Sequence, residues 1–262
     1  MKLSLRTPVL VQLIGGATTL IEYGGIRFLT DPTFDPPGSY DVGGRILTKL
    51  TTPALSSTEI GLIDVVLLSH DQHVDNLDRA GRQFLTSVST VLSTRAAAAR
   101  ISETTALPNW EHMDLASPNN GKVRITGIPA QHGPDGSEAL VGEVTGFMLQ
   151  SQGLPNLYVS GDNASLTVVE TIRKRFPIIE GAILFCGAAK TPLVKNQNLT
   201  LGSDQAVEAT RILNATTVIP VHYEGWAHFT EGRDSLRKAF ESTPIHERLR
   251  LLRPGEKFLF GN

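Results

Sequence analysis

The sequence predicts an α/β protein in which many short strands precede and alternate with helices. Three observations carry this. The first third is a series of short, β-branched apolar runs cut by Gly-Gly pairs; beyond Asn76, runs with helical periodicity alternate with further short apolar runs; and several apolar runs stop abruptly at a histidine or an aspartate. Short apolar runs bounded by turn residues read as strands, and a change from period 2 to period 3.6 marks the intervening helices.

Taken in order, VLVQLIG, TTLIEYG and IRFLTDP are strands separated by Gly15-Gly16 and Gly24-Gly25, pairs suited to hairpin turns with positive φ. The opening stretch MKLSLRTPVLVQLIGGA is interrupted by Gln12 and flows into alternating TTLIEYG, so it reads as a strand and not as a signal peptide. From Pro32 to Pro53 the chain turns to Pro, Gly, Ser and Thr. A loop of that length inside a domain is usually functional, and a flap over the site is expected. The apolar run from Val65 to Leu68, with Ile63 before it, predicts a buried strand leading into His70, His73 and Asp75. NLDRAGRQFLTSV then predicts a helix with Leu77, Phe84 and Val88 on one face and Asp75 or Asn76 near its start.

STVLST reads as a strand and TRAAAARI as a short helix. KVRITGIPA and EVTGFMLQ are strands flanking the loop QHGPDGSEALVG, and NLYVSGD is a strand ending in a carboxylate. The helix LTVVETIRKRF places Leu166, Val169, Ile172 and Phe176 on one side, leaving Arg173, Lys174 and Arg175 to solvent. AILFCG is a strand, SDQAVEATRIL a helix with Ser203 as its cap, and TTVIPVH a strand ending in a histidine. GRDSLRKAF closes the helices; RLRLL and KFLF are strands. Neither a repeat nor a linker interrupts residues 1–262, which are expected to form one domain.

With 40% hydrophobic and 19% charged residues the chain can bury a sizeable core. A net charge of −2 supplies no field for nucleic acid or an anionic membrane surface. The single cysteine, Cys186, lies in an apolar run, which favours core filling over a reactive thiol and leaves no intrachain disulfide. No run approaches a membrane span, and a cytoplasmic protein is expected. On that basis the N-x-S/T matches at Asn163, Asn198 and Asn214 are chance. His112 and His246 stand among charged neighbours and read as surface residues.

Four strands end in residues able to bind a metal: LLSH (His70, with His73 and Asp75 beyond it), IPAQH (His132), YVSGD (Asp162) and IPVH (His222). One histidine at a strand end is ordinary. Four such ends, on strands able to share a sheet edge, point to a common cation. Imidazoles with carboxylates suit Zn²⁺, with Mn²⁺ or Fe as alternatives.

The stretches LIGGATTLIEYGGIRFLTDPTF, VVLLSHDQHVDNLDRAGR, IPAQHGP, GEVTGF, LYVSGD and IPVHYEGWAHFTEGR resemble the metallo-β-lactamase superfamily, in particular the bacterial branch that includes ascorbate-6-phosphate lactonase. The resemblance implies a four-layer αββα sandwich and a motif H-x-H-x-D-H that, with a later His, a bridging Asp and a last His, binds one or two ions. Read without a gap, the present chain puts Gln72 and Val74 at two ligand positions. With one inserted residue, His70, His73 and Asp75 are retained and only the final histidine is replaced, by Asn76. The second register keeps more of the coordination and is preferred. In it, His70, His73 and His132 resemble the first ion site, Asp75 and His222 the second, with Asp162 between them.

The activity implied by this resemblance is hydrolysis. A bound cation lowers the pKa of its water from 15.7 to roughly 7, and the hydroxide would attack a small-molecule ester, lactone or phosphoester. Asp75 would orient it or take its proton, and His228 or Tyr223 would protonate a leaving group. Asp31 is placed to hold His70 or His73, and Trp226 and Phe229 to wall the pocket. Self-association is expected from the relatives. Nuclease action would want a basic surface and lipid cleavage an amphipathic membrane-facing stretch, and the sequence shows neither. The competing reading, supported by Gln72 and Asn76, is a binding or sensing protein that keeps the fold without turnover.

Overall fold

Strands buried on both faces read as continuous apolar runs, and the central strands of both sheets of this protein are of this kind. The computed structural model describes residues 9–118 and 121–260. The first eight residues, part of the reading against a signal peptide, lie outside the described residues.

The chain opens with β1 (Val9–Gly15), β2 (Thr18–Tyr23) and β3 (Ile26–Thr30), then β4 (Gly38–Val42) and β5 (Arg45–Lys49). Next come β6 (Val65–Leu67), α1 (Arg79–Leu85), β7 (Thr90–Ser93), α2 (Arg95–Arg100), β8 (Thr104–Ala106) and β9 (His112–Ser117). They are followed by β10 (Gly121–Pro129), α3 (Glu138–Val141), β11 (Thr145–Gln150), β12 (Leu157–Val159) and α4 (Leu166–Arg175). The last part holds β13 (Gly181–Phe185), α5 (Ser203–Leu213), β14 (Thr217–Val221), α6 (Arg233–Glu241) and β15 (Lys257–Phe260).

One sheet has seven strands in the order β15-β1-β2-β3-β6-β7-β8; the other has six, β14-β13-β12-β11-β10-β9. Period-2 alternation assigns each side chain a layer. Val11, Phe28, Val65 and Leu67 from the first sheet meet Phe147, Leu149, Ile183 and Phe185 from the second between the sheets. Leu29, Val66 and Leu68 face outward, where Leu77 and Leu85 of the α1 region cover them. On the far side Tyr158, Ala182 and Leu184 lie under Val169 and Ile172 of α4, Val207 and Leu213 of α5, and Leu236 and Phe240 of α6. These are the four layers, αββα. Cys186 is free and buried in that outer core, and burial pushes its thiol pKa up, as expected of a core filler.

The structure departs from the sequence reading in several places, α3 inside the loop QHGPDGSEALVG among them. The Pro32–Pro53 segment is not an irregular loop but carries the β4–β5 hairpin. The helix after the motif starts at Arg79, with Asp78 as its cap accepting Gly81 N, instead of near Asp75 or Asn76. Helix α5 begins at Ser203 itself, one residue beyond the Gly202 cap, because the Glu231 carboxylate accepts Ser203 N and frees the serine from capping. RLRLL makes a single bridge, Leu249 to Val218, and is no strand. Strands β8 and β9 carry too few apolar residues to announce themselves; β9 alternates exposed and half-buried positions.

Strand direction places the site. β3 and β6 run parallel in one sheet; β12, β13 and β14 run parallel in the other, and β10 shares their direction because two antiparallel steps separate it from β12. The C-terminal ends of β3, β6, β10, β12 and β14 therefore share one edge of the sandwich. Two bonds lace that edge: Thr145 N donates to Ser69 O at 3.0 Å and His222 N to Gly16 O at 2.9 Å.

Candidate metal centre

Each strand end delivers one group. β6 runs into Ser69 and His70, both buried, and the chain then turns, with Asn76 N and Leu77 N both donating to His73 O at 3.1 and 2.9 Å. His73, at the head of that turn, stands against His70. His132 follows β10, Asp162 follows β12 and His222 follows β14, all three buried. Gly161 has to be glycine: it sits at φ +58, and a Cβ there would lie 2.5 Å from Thr145 O. Asp31 (φ 34) and His222 (φ 57) are themselves left-handed, a conformation L side chains hold only when their surroundings impose it.

His70 Nε2 lies 3.0 Å from His73 Nδ1, which lies 3.1 Å from His132 Nε2. The other ring nitrogens decide the protonation. Ser69 gives its hydroxyl proton to Asp31 Oδ2 at 2.7 Å, so its oxygen accepts from His70 Nδ1 at 2.9 Å. His132 Nδ1 donates to Leu199 O at 2.8 Å. Both Nε2 atoms therefore carry lone pairs, and both point at His73 Nδ1. One N–H there could satisfy only one of them; a cation satisfies all three. Nitrogens held about 2.0–2.1 Å from a tetrahedral Zn²⁺ stand roughly 3.3 Å apart, close to the observed spacing. Asp162 Oδ2 lies 3.8 Å from His70 Nε2 and 3.8 Å from His132 Nδ1, the nitrogen turned to Leu199 O. Among the described residues, His70, His73, His132 and Asp162 form a set whose ligand atoms all fall within 4.8 Å of one another. Burial, then the neighbouring imidazoles, holds His70 well below the usual histidine range and His73 down to about 4, which keeps both neutral and available to a cation.

The other half is organised differently. Asp75 Oδ2 lies 3.2 Å from His222 Nε2 and accepts from His228 Nε2 at 3.0 Å, while His222 Nδ1 lies 3.3 Å from Asp162 Oδ1. Burial opposes charge on His222, but the Asp162 and Asp75 carboxylates outweigh it and push the ring up to about 9. Burial likewise opposes charge on Asp75, and the His228 and His222 rings hold it well below the usual carboxylate range. Asn76 is fully buried, donating Nδ2 to Asp31 Oδ2 at 3.0 Å and Asp162 Oδ1 at 3.4 Å; its Oδ1 has no partner.

The structure thus brings together all six candidate ligands and His228. Gln72 is not among them: its amide oxygen accepts Asp71 N at 3.2 Å and its side chain packs where a Cβ on Gly142 would stand. Tyr223 is buried in the outer core with its hydroxyl on Leu252 O at 3.3 Å, away from the cluster. Trp226 is buried against Tyr40, centroids 5.5 Å apart, and Phe229 lies between His222 and His228, 4.6 Å from each, edge-on to the first and tilted to the second. His112 and His246 are exposed. Two residues escaped the sequence reading. Ser69, which relays Asp31 to His70, carries no signal beyond standing before a histidine. Lys49, buried and 3.0 Å from Asp78 Oδ2, was hidden in a segment read as a loop.

A family model described as a beta-lactamase superfamily domain matches residues 26–223. The chain belongs to this superfamily, and its fold is the metallo-β-lactamase fold. A metal-dependent hydrolase of Pelotomaculum thermopropionicum is 30% identical over 252 residues, covering 94% of this chain and 97% of that protein. Among solved structures, an isothiocyanate hydrolase from Delia radicum gut bacteria superposes with a TM-score of 0.83 at 21% identity, over 96% of this chain and 98% of that one. Igni18, a metallo hydrolase from Ignicoccus hospitalis, does so at 0.72 and 19%, over 98% and 100%. At these identities the two structures speak for the fold alone.

Proposed function

We propose that this protein is a metal-dependent hydrolase acting on a small-molecule ester, lactone or phosphoester. The observation that supports it most is the convergence of three imidazole nitrogens, two with their lone pairs fixed by hydrogen bonds behind them. The residues fit a divalent cation, Zn²⁺ first and Mn²⁺ or Fe next, held by His70, His73 and His132 with Asp162 beside them. When bound, such an ion polarises a carbonyl or phosphoryl oxygen and acidifies water.

The chain's own groups do the rest. Asp75 orients the attacking water and takes its proton; His228, 17% exposed and bonded to Asp75, passes a proton to the leaving group. The β4–β5 hairpin is the cover: Leu50 N donates to Gly225 O at 2.7 Å and Ala227 N to Thr48 O at 2.9 Å, tying the hairpin to the segment that carries His228. A cavity of about 310 Å³, lined by Tyr40, Val42, Val74, Leu77, Arg79 and Arg82 among others, lies between hairpin and motif. No helix among the described residues is long and apolar enough to cross a membrane.

The test is elemental analysis of the purified protein together with a panel of lactones, carboxylic esters and phosphodiesters. Metal in the wild type, metal-dependent turnover of one class, and loss of both in His132→Ala are expected. A wild type that takes up no metal from a loading buffer favours the sensing reading.

A further inference from the structure

The superfamily motif provides for two ions; this chain's residues provide for one. Taking the hydrolase reading as its basis, we infer that the centre holds a single cation on the His70–His73–His132–Asp162 side, and that the bonded pair Asp75–His228 and the Asn76 amide, with His222 beside them, fill the place where a second ion would otherwise sit.

Three features carry this. First, the second half lacks a common focus. Asp75 approaches His222 at Nε2, 3.2 Å, while Asp162 approaches the same ring at Nδ1, 3.3 Å. The two nitrogens of one imidazole point in divergent directions, so an ion in line with one of them lies away from the carboxylate at the other. Among the described residues, the first cluster is the set of three or more such groups that converges.

Second, an N–H donor already takes one oxygen of each carboxylate. Asp75 Oδ2 accepts from His228 Nε2 at 3.0 Å, and Asp162 Oδ1 from Asn76 Nδ2 at 3.4 Å. An N–H aimed at a carboxylate oxygen competes with a cation for that oxygen's lone pairs. Third, Asn76 is a strut. Its Nδ2 ties Asp31 to Asp162, linking the end of β3 to the segment after β12. Turning the amide over would set a carbonyl oxygen against two carboxylates, so its orientation is fixed. Asn76 Oδ1, buried without a partner, is a neutral oxygen and a weak ligand beside the imidazole it replaces.

The measurement is stoichiometry. Ion-free protein is dialysed against Zn²⁺ in excess and, separately, titrated with Co²⁺ while its visible absorption is monitored. Expected are a plateau of one Zn²⁺ per chain, the same plateau in His228→Ala, a plateau rising towards two in Asn76→His, and Co²⁺ bands that stop growing after one equivalent. A wild-type plateau of two, or Co²⁺ bands that continue to change beyond one equivalent, overturns the inference and leaves the hydrolase reading standing. A plateau lowered by His228→Ala makes His228 a ligand and also overturns it. A plateau that stays at one in Asn76→His removes Asn76 as the cause. No uptake at all sinks the hydrolase reading, and this inference with it.

Discussion

Asp31 holds the centre together from behind, and removing its carboxylate should be felt in two separate measurements. It accepts Ser69 N at 2.6 Å, Ser69 Oγ at 2.7 Å and Asn76 Nδ2 at 3.0 Å, all buried. In Asp31→Ala the hydroxyl can turn elsewhere and Asn76 keeps a longer bond to Asp162, but Ser69 N–H is stranded. A stranded buried donor costs about 1–3 kcal/mol, and a weakened one somewhat less. Alanine at φ 34 adds about 1 kcal/mol. Against this, burial pushes the Asp31 pKa up to about 7 despite the hydrogen bonds from Asn76 and Ser69, so the charge is held at a cost that the mutation relieves. The net expectation is a loss of about 2–4 kcal/mol for Asp31→Ala and roughly half that for Asp31→Asn, which keeps one acceptor oxygen. Ion affinity should fall by about 10–100-fold, because Ser69 Oγ would no longer be oriented to receive His70 Nδ1–H. Urea unfolding of the ion-free protein reads the first effect, and competition with a chelating dye the second. If Asp31→Asn loses stability while binding the ion as before, Asp31 is a turn residue and the positioning argument fails.

The remaining expectations are shorter. His222 is pushed up to about 9, so the folded state binds a proton there more tightly than the unfolded chain does. Its contribution is full below the unfolded pKa, roughly 6.5, and is lost as pH rises through about 9. Ion-free protein should therefore lose on the order of 3 kcal/mol between about pH 7 and 10, and His222→Gln should flatten that limb of the denaturation profile; an equal slope in both refutes the pairing. Asp78 accepts Gly81 N, Phe34 N, Asp35 N and Lys49 Nζ at 2.7–3.0 Å, so Asp78→Ala strands a buried ammonium and the α1 cap together. It should cost about 3–5 kcal/mol in urea unfolding, and Lys49→Met distinctly less, since three backbone donors still serve the carboxylate. Gln72→Ala should leave the ion content unchanged while His73→Ala abolishes it; the opposite result restores the ungapped motif.

The strands that build the site were legible because both of their faces are buried: Val65 and Leu67 point inward, Val66 and Leu68 outward, and the run has no polar gap to confuse its period. Their termini were legible for the complementary reason, that a charge or imidazole at the end of such a run needs a partner. What the sequence hid was settled by contacts distant along the chain. Asp78 rather than Asp75 starts α1 because Lys49, 29 residues away, helps hold its carboxylate. Ser203 is no cap because Glu231 serves its N–H from 28 residues on. The hairpin β4–β5 exposes half of its residues, and its strands GSYDV and RILTK carry no clean apolar alternation. Asn76 looked like a lost ligand in the sequence; in three dimensions it is a hydrogen-bond donor between two aspartates, a role that depends on where Asp31 and Asp162 arrive.

The inserted residue in the motif shows how such a centre tolerates change. In an extended chain His70 and Gln72 would project on the same side, and an imidazole at 73 would face away. The chain is not extended there. Asp71 is clamped by Arg100, whose Nε and Nη2 donate at 2.9 and 2.5 Å, and the two bonds into His73 O close the turn. Gln72 is carried out toward Gly142, and the next residue swings in with Nδ1 foremost, where its shorter reach matches the tighter path. The centre is therefore specified by where nitrogen atoms end up and not by residue count, and the clamp on Asp71 is what converts one into the other. Arg100 ends α2, so that helix, through Asp71, also holds the register of the motif.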